Sequence, residues 1–170
     1  RIDYFDAIME TAIPELEKFM AGERTGFKLQ AIDDPDVLLW FLWTVQIFSK
    51  ATSLQEASDK YEQLATNIIS FIRKQNHPNL FLHNNGLLYV NGTEKPATWM
   101  NAMENGRPIT PRTGYVVEIN ALWYNALKFT SELSRKKGNE HGADLLDYQA
   151  EIAREAFVKT FWNGAYLYDF

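Results

Sequence analysis

The 170-residue sequence has no cysteine, which excludes disulfide staples and thiolate zinc sites. It has only three histidines, His77, His83 and His141. They are too scattered to suggest a metal site, and a solvated surface position is the simpler reading of each. No apolar run approaches the ~18 residues needed to span a bilayer. The longest, Val37 to Trp43, is the length of a helix core, so no membrane partner is expected. A basic excess is also missing: the formal net charge is −5 and the pI is near 5.2, which argues against nucleic acid as a partner. There is no Gly-rich phosphate loop and no His-Glu-x-x-His motif, so no cofactor is expected. No basic-then-apolar leader is present. A cytoplasmic location is expected, and the lack of cysteine suits the periplasm equally well.

What the chain has in quantity is aromatic side chains, 14% of residues with five tryptophans. Aromatics mostly fill cores. They also make the platforms on which sugar rings stack.

Apolar residues recur at helical spacing from Ile2 to Met20 (Ile2, Phe5, Met9, Ala12, Leu16, Phe19), predicting an amphipathic helix bent near Pro14 and ending before Gly22. Asp34-Pro35 reads as the start of a second helix. Its body, Val37 to Trp43 with Val45, Ile47 and Phe48, is apolar all round, the mark of burial on every side, and Asp36 lies in its first turn. Ser53-Leu54-Gln55-Glu56 is a capping box opening an amphipathic helix that runs to about Asn76. A fourth helix, Val117 to Lys136, is again apolar nearly all round, with Glu118 in its first turn. A fifth, about Glu140 to Thr160, is amphipathic, with Leu146, Ala150, Ala153 and Phe157 in one stripe. Trp162-Asn163-Gly164 turns the chain, and Ala165 to Phe170 reads as a strand.

The order is therefore amphipathic, buried, amphipathic, buried, amphipathic. Two concentric layers of helices produce that alternation, whereas a four-helix bundle makes every helix similarly amphipathic. An α/α toroid is favoured, in which the inner helices run parallel and Asp36 and Glu118 share one rim. Helix N-termini favour anions, so both carboxylates are expected to be ionised and to act as hydrogen-bond acceptors.

The connection from about His77 to Val116 is far longer than the ~12–15 residues at which a loop becomes unusual. Asn85-Gly86 and Asn91-Gly92 flank Leu87 to Val90 and predict a small β-hairpin; the formal glycosylation triplet Asn91-Gly92-Thr93 is read as part of that turn. The loop then delivers Trp99, Asn101, Arg107 and Arg112 to the rim. Tryptophan faces, amides, carboxylates and arginine forks suit a neutral polyhydroxylated ligand. The plain alternative makes Trp40, Trp43 and Trp123 core, Arg112 a brace for the loop, and Asp36 and Glu118 ordinary helix-end residues.

Thr98-Trp99-Met100-Asn101-Ala102, then Pro108 to Gly114, then Val117-Glu118-Ile119-Asn120-Ala121-Leu122-Trp123-Tyr124-Asn125-Ala126-Leu127 closely resembles the amylo-α-1,6-glucosidase domain of glycogen debranching enzymes. Asp36 to Phe41 resembles that family's Asp-Ala-(Ser/Thr)-Leu-Trp-Phe helix start, and Gly86 to Tyr89 the strand before its Trp-Met-Asp segment. The resemblance runs from about Asp33 to Phe170. It implies an all-α fold, a partial (α/α)6 toroid of about five helices alternating outer and inner, with a small β-hairpin in the 77–116 connection. It implies inverting hydrolysis of α-1,6-linked glucosyl stubs, with a branched, glycogen-like α-glucan or a maltooligosaccharide as partner. Asp36, Trp40, Trp99, Arg112, Glu118 and Asn120 match its substrate-cleft residues.

The departure is Asn101, which stands where the family has its general-acid Asp. Three readings follow: a sugar-binding relative with little activity; an acid role taken over by Glu104 or Glu118; or an introduced inactivating change. A third class of function, a helical scaffold module, predicts that Trp99, Arg112 and Glu118 point apart. Five helices are under half of a twelve-helix toroid, so residues 1–170 are expected to form a single segment of a larger domain, inactive by itself, with the family's base lying outside it. Inner helices without the remainder of that domain are expected to expose apolar surface or to self-associate.

Overall fold

In the computed structural model the described residues are 2–23 and 32–169, with side chains from Tyr4 onward. Among them five helices form: α1 (Ile2–Met20), α2 (Val37–Ala51), α3 (Leu54–Arg73), α4 (Val117–Lys136) and α5 (Glu140–Phe161). The fold is mostly helical, with the helix order of part of an α/α toroid. Side chains of Ile2 and Phe170 lie outside the described residues.

Helix α1 is continuous through Pro14. It docks through Met9 and Leu16, which are buried, and through Phe5 stacked on Phe48 at 4.5 Å. Helix α3 starts as its sequence predicts: Ser53 caps the helix by accepting from the Glu56 N–H at 3.0 Å. The returning half of the box is replaced, because the Glu56 carboxylate pairs with Lys60 one turn on.

Helix α4 is the centre of the packing. Ile119, Leu122, Trp123, Ala126, Leu127, Phe129 and Leu133 are all buried, and so are Thr130, Ser131 and Ser134. Hydroxyls tie α3 to α4: Ser134 donates to the Glu62 carboxylate at 2.8 Å, and Ser58 of α3 donates to the Leu133 carbonyl at 2.8 Å. On α5 the buried stripe is Ala143, Leu146, Ala150 and Ala153, three alanines that bring this helix close against α4.

Helix α2 departs from the sequence expectation. Leu38, Leu39, Phe41, Leu42, Val45 and Phe48 are buried, but Trp40, Trp43 and Ile47 are each about two-fifths exposed. Positions 40, 43 and 47 lie on one helical face. Neighbours α1, α3 and α4 pack against the other faces. Trp43 is therefore not core; its ring meets Trp40 edge-on at 5.4 Å.

The 77–116 connection carries a three-stranded antiparallel sheet, ordered β1 (Leu80–Leu82), β2 (Leu88–Val90), β5 (Gly114–Tyr115), and a separate hairpin of β3 (Met103–Glu104) and β4 (Arg107–Pro108). The predicted hairpin is β1–β2, with Leu80 opposite Val90 and a turn in which Gly86 takes φ +85°. Gly92 is needed for a different reason: a Cβ there would sit 2.4 Å from the Arg112 carbonyl oxygen. Beyond α5, the segment read as a strand makes a single antiparallel bridge, Trp162 to Leu167, around a turn tied by Asn163. Its exposed residues bury too little surface to extend a sheet.

Candidate functional site: the α2 and α4 rim

The N-terminal ends of α2 and α4 lie together. The Glu118 carboxylate is near enough to Asp36 to push its pKa upward. Deeper in the pair, Asn125 of α4 donates to Gln46 of α2 at 3.0 Å. Both residues lie about two to three turns beyond their acidic partners, so the helices run parallel, as two inner helices of a toroid do.

Arg112 organises this end. Its side chain is 1% exposed. Both Nη atoms bond Glu118, one to each carboxylate oxygen, the Nη2–Oε2 contact being 2.9 Å. Nη2 also donates to Asp169 Oδ1 at 2.6 Å, and Nη1 to Thr98 Oγ1 at 3.3 Å. A fork–fork pair of this kind fixes orientation as well as charge. The Asp169 carbonyl accepts from the Val117 N–H at 3.0 Å, which supplies α4 with the N-terminal partner that its N-cap Val116 cannot. Asp169 was not legible in the sequence, because its partner lies 57 residues away.

Asp36 occupies the N-cap position of α2 rather than its first turn. Its side chain makes no capping bond to the helix N–H groups. It instead accepts the Trp40 indole N–H at 3.2 Å, which fixes that exposed ring at the rim. Burial raises the Asp36 pKa above the usual aspartate value, the Trp40 bond opposes this, and Glu118 adds to it. The helix-end stabilisation expected for Asp36 is therefore outweighed by desolvation.

The other expected residues divide. Trp99 is 69% exposed and adjoins Thr98, which is held by Arg112. Asn101 is exposed two residues further on. Asn120 is buried, with its amide clamping strand β2: Oδ1 accepts from the Leu88 N–H at 2.7 Å, and Nδ2 donates to the Leu88 and Val116 carbonyls. Its polar atoms are engaged by backbone, so it holds the strand that carries the rim loop. Trp123 is core, with its indole N–H on the Gly86 carbonyl. Arg107 lies in the exposed β3–β4 hairpin opposite Glu104, and no described hydrogen bond ties it to the rim. Glu118, considered as a substitute acid, has both carboxylate oxygens occupied by Arg112 donors. In the brace it acts as an acceptor.

Among the described residues no group of three or more His, Asp or Glu is arranged to hold a metal ion. No described helix is long and apolar enough to cross a membrane.

Two parallel helices thus bring an exposed tryptophan, two carboxylates and a buried arginine to one shared end of an α-helical domain. Residues 18–170 match the family described as amylo-alpha-1,6-glucosidase, and the chain belongs to that family. No curated protein matches the chain.

Proposed function

We propose that the chain is a glycoside hydrolase domain of glycogen-debranching type, built to act on the α-1,6-glucosidic branch stubs of glycogen-like α-glucans with inversion. The observation that carries this reading is the family match over residues 18–170 on a chain whose rim joins Trp40 to Asp36 and Arg112 to Glu118. A glucosyl ring has apolar faces and a hydroxylated edge. Trp40 and Trp99, both exposed, offer the faces on which it stacks. Asp36 has one oxygen on Trp40 and the other to accept a sugar hydroxyl. Arg112 is a positioning residue: it is buried and acts through Thr98 and Glu118.

Inverting hydrolysis needs one carboxyl to protonate the leaving oxygen and another to activate water, about 6.5–9.5 Å apart. Asn101 occupies the family's acid position and has no titratable proton. The second reading, a non-catalytic α-glucan-binding relative, is favoured by this residue and by the engagement of Glu118 with Arg112.

The experiment is glucose release from a limit dextrin by the protein carrying this chain and by its Asn101→Asp variant, beside calorimetry with maltooligosaccharides. Release that appears or rises in Asn101→Asp supports the hydrolase. Binding without release from either protein supports the second reading. The absence of both release and binding rejects the α-glucan assignment.

A further inference from the structure

A cavity of about 310 Å³ lies where the C-terminal end of α3, the β1–β2 turn, α4 and α5 meet. It shares no residue with the rim. Its wall includes Arg73, His83, Asn84, Trp123, Gln149 and Ile152. Across the His83–Gly86 turn is a second depression of about 430 Å³, which shares His83 and Asn84 and ends at Tyr115.

Three features mark this pair as built to hold something. First, Gln149 Oε1 is buried without a hydrogen-bond partner. Buried acceptors are nearly always satisfied, and the terminal torsion of a glutamine is soft enough to turn the amide toward a donor in the cavity. Second, the His83 ring is held in place: it stacks on Tyr89 at 5.1 Å, Nδ1 meets the Tyr115 hydroxyl at 2.7 Å, and Asn85 bonds the same hydroxyl at 3.2 Å. Third, Arg73 has no ion pair among the described residues, and it projects from the last turn of α3.

Arg73 lines the cavity from the C-terminal turn of α3. A helix C-terminus carries partial negative charge that disfavours anions. An arginine there offsets the charge of the helix end and keeps N–H donors for a ligand oxygen. Aromatic rings, amides and one arginine around a volume at the small end of the ligand-pocket range fit one or two sugar residues.

We propose that the His83–Gly86 turn and its two flanking cavities form a second binding site for a neutral sugar chain, with Gln149 accepting a hydroxyl and Asn84 and Arg73 donating to ring or hydroxyl oxygens. The identity of that chain as α-glucan rests on the function proposed above. Two sites on one polymer raise its effective concentration at the rim.

The test uses the indole N–H signals of the ¹⁵N-labelled chain titrated with maltotriose. Trp40 reports on the rim through its bond to Asp36, and Trp123 on the second site through its bond to Gly86. Both signals are expected to shift. Gln149→Leu and the surface change Asn84→Ala are each expected to weaken the Trp123 response at least tenfold while leaving that of Trp40 unchanged. A saturated Trp40 response with an unmoved Trp123 signal overturns the second site and leaves the rim reading intact. A Trp123 response that neither variant weakens overturns it as well. Movement of Trp123 alone supports the second site and removes the rim reading. Movement of neither signal removes both.

Discussion

Replacing Arg112 by methionine keeps most of the side-chain length and deletes the charge that ties together Glu118, Asp169 and Thr98. Hydrogen bonds to charged groups contribute about 1.5–3 kcal/mol each when lost one at a time. The remaining carboxylates differ in how easily water reaches them: the Glu118 side chain is 27% exposed and that of Asp169 59%. Both rehydrate, which offsets part of the loss, and the expected cost of Arg112→Met is about 2–3 kcal/mol. Glu118→Gln removes the other half of the pair and leaves the guanidinium, 1% exposed, with Asp169 as its remaining counter-charge. Removing one partner of a buried ion pair costs about 3–5 kcal/mol, and the member left behind here is the more deeply buried one, so this variant is expected to be the worse of the two despite its smaller change in shape. At roughly 2–4 °C per kcal/mol for a chain of this size, the melting temperature falls by about 4–12 °C and about 6–20 °C respectively. Urea unfolding followed by circular dichroism measures both, and the double variant gives the coupling, expected at about 1–3 kcal/mol. A cost below about 0.5 kcal/mol for Arg112→Met, or a Glu118→Gln variant milder than it, refutes the brace.

Three further outcomes are expected. Gly92→Ala places a Cβ 2.4 Å from the Arg112 carbonyl; the backbone must shift, at about 1–3 kcal/mol, and urea midpoints check it. His77 is buried with Nε2 unpartnered, and burial holds its pKa down at about 4. Unfolding releases it to its ordinary value, so its contribution to stability is complete above pH 6.5 and is lost as pH falls toward 4, on the order of 3 kcal/mol in all. His77→Phe, set beside Phe19 and Phe71, should flatten that part of the stability–pH curve, and an unchanged curve contradicts the assignment. The exposed stripe of Trp40, Trp43 and Ile47 on α2 predicts concentration-dependent self-association that Trp43→Lys reduces, and sedimentation that shows a monomer at every concentration counts against it.

The helices were legible because each carries its own record of burial. Of the α5 stripe Leu146, Ala150 and Ala153 are buried and Phe157 is half-buried, and the apolar body of α4 is mostly buried, with Ala121 exposed. Helix α2 was misread in part because an apolar face states that a side chain can be buried, whereas a neighbour decides whether it is. Trp43 and Trp123 look alike in sequence; one faces solvent and the other lies under the β1–β2 turn. At the site, Arg112 and Glu118 stood out through their motif. Asp169 and the clamp made by Asn120 did not, because their partners are backbone groups or side chains distant in sequence. The upward shift of the Asp36 pKa was not legible for a related reason: proximity to a helix end is local, and desolvation is not.

The most direct test of the rim is the position of maltotriose bound to crystals of this protein. A glucosyl ring is expected against Trp40 or Trp99, with a hydroxyl on the Asp36 oxygen that Trp40 leaves open. A rim empty of sugar at saturating maltotriose contradicts it.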